Sequence, residues 1–168
     1  MHQRQSECDR NVFAEAEARG RAAADNLMAE FQTADVILLA RHVGAVMRYE
    51  RWPPVTIGEC EPRSMTIRVN LSALEHDTCN NVLTERAIIA HELGHLIDAR
   101  RECHVSRSPA QRLIDEHFAR AFAAQLLGMT TVELDALAER VRVESRRGWI
   151  VFDVNALIPP IDFVNRYD

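Results

Sequence analysis

His91-Glu92-Leu93-Gly94-His95 is the stretch of this 168-residue chain whose residue types and spacing most directly suggest chemistry. In a helix, positions four apart share a face, with Cβ atoms about 5–6 Å apart. Two imidazoles at that spacing can grip one zinc ion. Glu92 follows the first histidine by one residue, so it projects beside the metal and not at it. There it can deprotonate a water that the ion has activated. Ile88, Ile89 and Ala90 precede the motif, and Leu96 and Ile97 follow it, which suits a helix embedded in a core. Gly94 weakens a helix by about 1 kcal/mol relative to alanine. A glycine there predicts that another backbone packs close against it.

A catalytic zinc site needs a third protein ligand and an open fourth position. The run Asp115-Glu116-His117-Phe118-Ala119-Arg120-Ala121-Phe122 offers one on a later helix. Ala119 and Ala123 share the stripe of Glu116, and small residues there would let this helix approach the HExxH helix closely. Asp115 points about 100° away around the helix, so only one of these two neighbours can be the ligand. The small-residue stripe favours Glu116 and leaves Asp115 as the alternative. Asp98, seven residues after His91, lies on the metal-facing side of its helix, where it could hold a ligand histidine's second nitrogen. His104 and His117 are candidates for stabilising an oxyanion.

These residues need elements to position them. The apolar spacing predicts a helix from about residue 9 to 31 and a second over Val36–His42, capped by Thr33 or Asp35 and stopped by Gly44. Three short β-prone runs follow, at 45–49, 55–58 and 65–69, separated by Trp52-Pro53-Pro54 and Glu61-Pro62-Arg63. The HExxH helix runs from about 82 to 100, with Asn81 or Thr84 as its cap. The next has Ser108 as N-cap, Pro109 at its first position and Gly128 past its last turn. Thr130-Thr131-Val132-Glu133 is a capping box that opens another helix, expected to end near Gly148. Trp149–Phe152 reads as a strand. Helices flanking a small sheet make the chain α+β, and the absence of linkers and repeats makes residues 1–168 one domain.

Composition narrows the field. The net charge of -5 argues against a dedicated nucleic-acid or anionic-membrane binder. All 20 basic residues are arginine, so lysine Schiff-base and P-loop mechanisms are excluded. No apolar run is long enough to cross a bilayer, and the amino terminus has no secretory h-region. Cys8, Cys60, Cys79 and Cys103 form no CxxC pair. Reduced thiols and a cytoplasmic location are the expectation.

Ile88 to His95, followed by Glu116-x-Phe118-Ala119-x-Ala121-Phe122, resembles a gluzincin-type metallopeptidase. The second motif is similar to the third-ligand helix of anthrax lethal factor-like zincins. The wider layout, over about residues 33 to 128, resembles the ImmA/IrrE family. The matching segments are Leu39-Ala40-Arg41-His42-Val43-Gly44, the strand Ile67-Arg68-Val69-Asn70, the HExxH helix, and Phe122-Ala123-Ala124-Gln125-Leu126-Leu127. That family usually places its acidic ligand four residues before the last segment's phenylalanine. Phe118 stands there, and Glu116 lies six before. Asp98 and Arg101 stand where a metzincin would have glycine and histidine or aspartate.

The ImmA/IrrE resemblance implies a zincin-like fold, with a small, mainly antiparallel sheet packed against the HExxH and third-ligand helices and extra helices at both ends. It implies a zinc-dependent endopeptidase with His91, His95 and Glu116 as ligands, and Glu92 as general base and later proton donor. It also implies a specific protein substrate, such as a helix-turn-helix repressor. Two other readings stand beside it. One is a non-proteolytic binding module on the same fold, which would have no need of Glu92. The other is a toxin-like zincin, suggested by the Glu116 motif and disfavoured by the missing signal segment.

Overall fold

Turn chemistry written in the sequence sets most of the element boundaries. The computed structural model describes residues 2–53, 55–76, 81–100 and 108–156, with side chains over 10–53, 55–75, 81–100 and 108–144. Helix α1 spans His2–Phe31 and α2 spans Val36–His42. Three strands follow: β1 (Val46–Glu50), β2 (Gly58–Glu61) and β3 (Thr66–Asn70). Then come α3 (Leu71–His76), α4 (Asn81–Ala99), α5 (Pro109–Leu127) and α6 (Thr131–Ala156). The arrangement is α+β, as the patterning predicts.

The caps act as their residue types dictate. Asp35 Oδ1 accepts hydrogen bonds from the Ile37 and Leu38 amides at 2.9 and 3.0 Å, so Asp35 and not Thr33 caps α2. Ser108 Oγ accepts from Gln111 N at 3.2 Å, Pro109 opens α5, and Gly128 closes it in the left-handed region at φ 64°. The Thr130–Glu133 box closes in both directions. Glu133 N donates to Thr130 Oγ1 at 3.2 Å, and Thr130 N donates back to Glu133 Oε2 at 2.8 Å.

The sheet departs from the expectation of a mainly antiparallel arrangement. Its order is β1-β3-β2, with β1 parallel to β3 and β2 antiparallel to it. The cause lies in the connection after β1. The buried Asn70 side chain, at the end of β3, donates to the Trp52 and Thr56 carbonyls at 3.0 and 3.1 Å. The chain is thereby tied across the end of β3, which puts β1 and β2 on opposite sides of it. The Ile57 carbonyl accepts from Asn70 N at 3.1 Å, and β2 starts at Gly58 and not at residue 55.

Three further corrections concern helices. The six-residue α3 was not expected. The 149–152 run is helical and not a strand, because α6 passes through Gly148 and continues to Ala156. A mid-helix glycine costs only about 1 kcal/mol, and Gly148 has no turn residue beside it. Helix α4 begins at Asn81, so Thr84 lies buried inside it and is not its cap.

The core gathers around α4 and α5. Ile89, Leu93 and Leu96 of α4 are fully buried with Phe118 and Phe122 of α5, and Ile67 and Val69 of β3 join them. Helix α1 covers the outer side of α5 with Ala16, Ala23, Ala24 and Leu27. No helix among the described residues is long and apolar enough to cross a membrane.

Candidate metal centre

His91 and His95 lie one turn apart on α4, and Glu116 reaches them from α5. His91 Nε2 is 3.3 Å from Glu116 Oε2, and His95 Nε2 is 3.3 Å from Glu116 Oε1. The two histidine nitrogens are 3.1 Å apart. Four tetrahedral ligands at about 2.0–2.1 Å from zinc hold their donor atoms about 3.3 Å from one another. The Glu116 contacts use a different oxygen for each histidine, and with one donor atom from each residue the three lie within 4.8 Å of one another, close enough that together they could hold a metal ion.

The approach of α5 to α4 depends on Gly94. A Cβ there would lie 2.9 Å from Ala119 Cα and 3.3 Å from Ala119 Cβ. The expected backbone contact at Gly94 is present, and its partner is the alanine one turn beyond Glu116. The small-residue stripe thus brings Glu116, and not Asp115, to the histidines. Asp115 is buried and accepts a hydrogen bond from Gln111 Nε2 at 2.9 Å. Phe118, at the position where the ImmA/IrrE spacing would put the acid, is fully buried in the core.

Glu92 occupies the position beside the centre that the motif predicts. It is only 8% exposed. Strand β2 lies over it closely enough that a Cβ on Gly58 would be 3.0 Å from Glu92 Oε1. The Cys60 thiol, two residues along the same strand, hydrogen-bonds the Glu92 side chain. Burial pushes the Glu92 pKa up, while His91, His95 and Cys60 pull it back. Hydrogen bonds from His91 and His95 hold the Glu116 carboxyl well below the usual carboxylate range. Burial opposes charge on His95, but its bond to Glu116 and the charges of Glu92, Glu116 and Asp115 outweigh this and raise its pKa.

Other sequence candidates are not part of this converging group. Asp98 is buried near the end of α4 and is not one of the converging ligands. His117 stacks on Phe13 at 4.4 Å and places Nδ1 2.9 Å from Glu17 Oε1. It belongs to the contact between α1 and α5 and does not line the cleft beside the metal group. The expected oxyanion role for it is therefore corrected. His104 lies outside the described residues.

That cleft has a volume of about 650 Å³, within the range of small-molecule and short-peptide sites. His91, Glu92, His95 and Glu116 all line it, with Val55 to Gly58 on one side. Leu134, Leu137 and Val141 of α6 contribute to another wall. Arg120 also lines it, a residue the sequence reading passed over. The available signal was its position four residues after Glu116, on the same helix face.

No family model, characterised protein or solved structure matches this chain.

Proposed function

We propose that the chain is a zinc-dependent endopeptidase. The observation that carries this reading is the convergence of His91, His95 and Glu116 at one point, with a buried Glu92 beside them in a cleft. The donor set suits zinc: two imidazoles and one carboxylate leave a fourth position open. Zinc held there would polarise a peptide carbonyl and acidify a water.

The remaining chemistry falls to the protein. Glu92 takes the water's proton on its carboxylate and returns it to the departing amide nitrogen. Its burial under β2 raises its proton affinity towards what that relay requires. Glu116 and the histidines would have their donor atoms committed to a bound metal, which would leave Glu92 as the carboxylate suited to the proton transfer. The likeness to ImmA/IrrE peptidases supports a protein substrate, with a helix-turn-helix repressor as the candidate to test.

Glu92→Gln separates the roles. Zinc stoichiometry near one and normal folding should survive, while cleavage falls by about 10²–10⁴-fold. His91→Ala should lose the metal as well. Full activity in Glu92→Gln would overturn the role of Glu92 as the base, whereas absence of cleavage by the zinc-loaded wild-type protein would favour a non-proteolytic binding module. Loss of zinc in Glu92→Gln would mean that Glu92 is itself a ligand.

A further inference from the structure

Arg120 is the cation that α5 places in the cleft. It stands four residues after Glu116, so the two side chains share a helix face with Cβ atoms about 5–6 Å apart. Both line the same cleft as His91 and His95. Across it, Asp135 of α6 puts Oδ1 3.2 Å from Arg120 Nε. The arginine side chain is 32% exposed and the aspartate 50%. Arg120 is thus the more enclosed partner, and its carboxylate faces solvent, where its attraction is screened.

The contact uses one edge of a planar group. A guanidinium has five N–H donors, and its terminal pair matches the two oxygens of a second carboxylate. Among the described residues, Asp135 is the one ionic partner of this group, and it approaches Nε. The buried Nε makes no hydrogen bond, so Asp135 attracts the guanidinium through charge alone, and the terminal N–H pair remains for a ligand.

We propose that Arg120 recognises a carboxylate on the substrate, which makes the substrate a peptide with an anionic group close to the bond cut. This rests on the peptidase reading of the site and specifies what the cleft selects. The reach follows from the geometry. One helical turn plus an extended arginine spans about two or three residues of extended peptide, at about 3.3 Å each. The carboxylate can come from an aspartate or glutamate side chain or from a free chain terminus, since the same fork binds either.

The competing account makes Arg120–Asp135 a tether between α5 and α6, with no part in selection. The test is affinity selection of an acetylated, amidated octapeptide library on zinc-loaded Glu92→Gln protein, read by mass spectrometry. A parallel arm uses the same library with free carboxyl termini. Enrichment of at least tenfold for Asp and Glu over Asn and Gln at one position is expected if side chains supply the group. Enrichment of the free-terminus arm is expected if the chain end supplies it. Adding Arg120→Gln should abolish the preference, and Arg120→Glu should turn it towards Lys and Arg.

Asp135→Asn should keep the preference, because Arg120 remains. Bound peptides without acid preference, or a preference that persists in Arg120→Gln, would overturn the proposal. Equal losses of Tm in Arg120→Gln and Asp135→Asn without a change of preference would establish the tether instead. Cleavage of the library by the wild-type protein separates this inference from its premise. Cleavage without acid preference removes the inference alone. Acid-selective binding without cleavage removes the peptidase reading and leaves Arg120 as a binding residue. Neither binding nor cleavage removes both.

Discussion

His95 and Glu116 shift in opposite directions when no metal is bound, and the signs determine how pH acts on the site. Burial resists charge on His95, yet its bond to Glu116 and the nearby carboxylates raise its pKa above the ordinary 6.5. Bonds from both histidines lower that of Glu116 below the ordinary 4.5. As an ion pair, the two stabilise the metal-free fold between those limits. The Glu116 contribution is lost as pH falls through its depressed pKa, and the His95 contribution as pH rises through its raised one. Metal needs a neutral imidazole, so it competes with the proton on His95. Zinc affinity should therefore be weaker at pH 6 than at pH 8, with about one proton released per ion at the lower pH. Competition titrations in two buffers of different ionisation enthalpy would measure both, and a pH-independent affinity would refute the argument. At this scale, the legible residues were those whose partners are local in sequence or follow helical spacing. His91, Glu92 and His95 fall within five positions, and Ala119 identified the face of Glu116. His117 was misread because its partners, Phe13 and Glu17, come from a helix about 100 residues earlier. Arg120 carried no signal of its own in the sequence, because Asp135, its partner across the cleft, comes from α6.

Between elements, the decisive contact is Gly94 against Ala119. Alanine at position 94 would improve helix propensity by about 1 kcal/mol. Its Cβ would also be forced to 2.9 Å from Ala119 Cα, which is backbone and cannot swing aside. Overpacking of this kind costs about 1–3 kcal/mol. Gly94→Ala is expected to lower stability on balance, and to weaken zinc binding by separating Glu116 from the histidines. Urea unfolding and zinc titration should move together; a stabilised variant with unchanged zinc affinity would show that the helices can part without cost. Helix ends were legible because Asp35, Ser108, Gly128 and the Thr130–Glu133 box act on their immediate neighbours. The sheet was less so. Its pairing depends on Asn70, which ties the segment from Trp52 to Thr56 across the end of β3. That bond spans up to 18 residues, and no local β propensity reveals it. The far end of α6 misled because Trp149–Phe152 is apolar and branched enough to suit either element.

For the whole molecule, the buried faces of α4, α5 and β3 form a core that does not include the metal ligands. Folding should therefore survive removal of the ion, unlike that of small zinc domains. Chelation is expected to leave far-UV circular dichroism unchanged while lowering Tm, and Tm should rise with free zinc by mass action. Collapse of helicity on chelation would show that the metal organises the fold. The division of the sheet around β3 also bears on how copies of the chain meet. Strand β1 has no strand neighbour on its outer side among the described residues. It therefore offers a row of backbone donors and acceptors on which another chain could build, beside the exposed apolar surfaces of Val46 and Tyr49. Exposed Arg48 and Glu50 set charges along that row. Charges so placed are of the kind that disfavours edge-to-edge pairing. Replacing both with threonine should leave zinc binding intact and raise light scattering on concentration or mild heating. Unchanged scattering would mean that five residues are too short a template, so that the brevity of β1 is itself the protection.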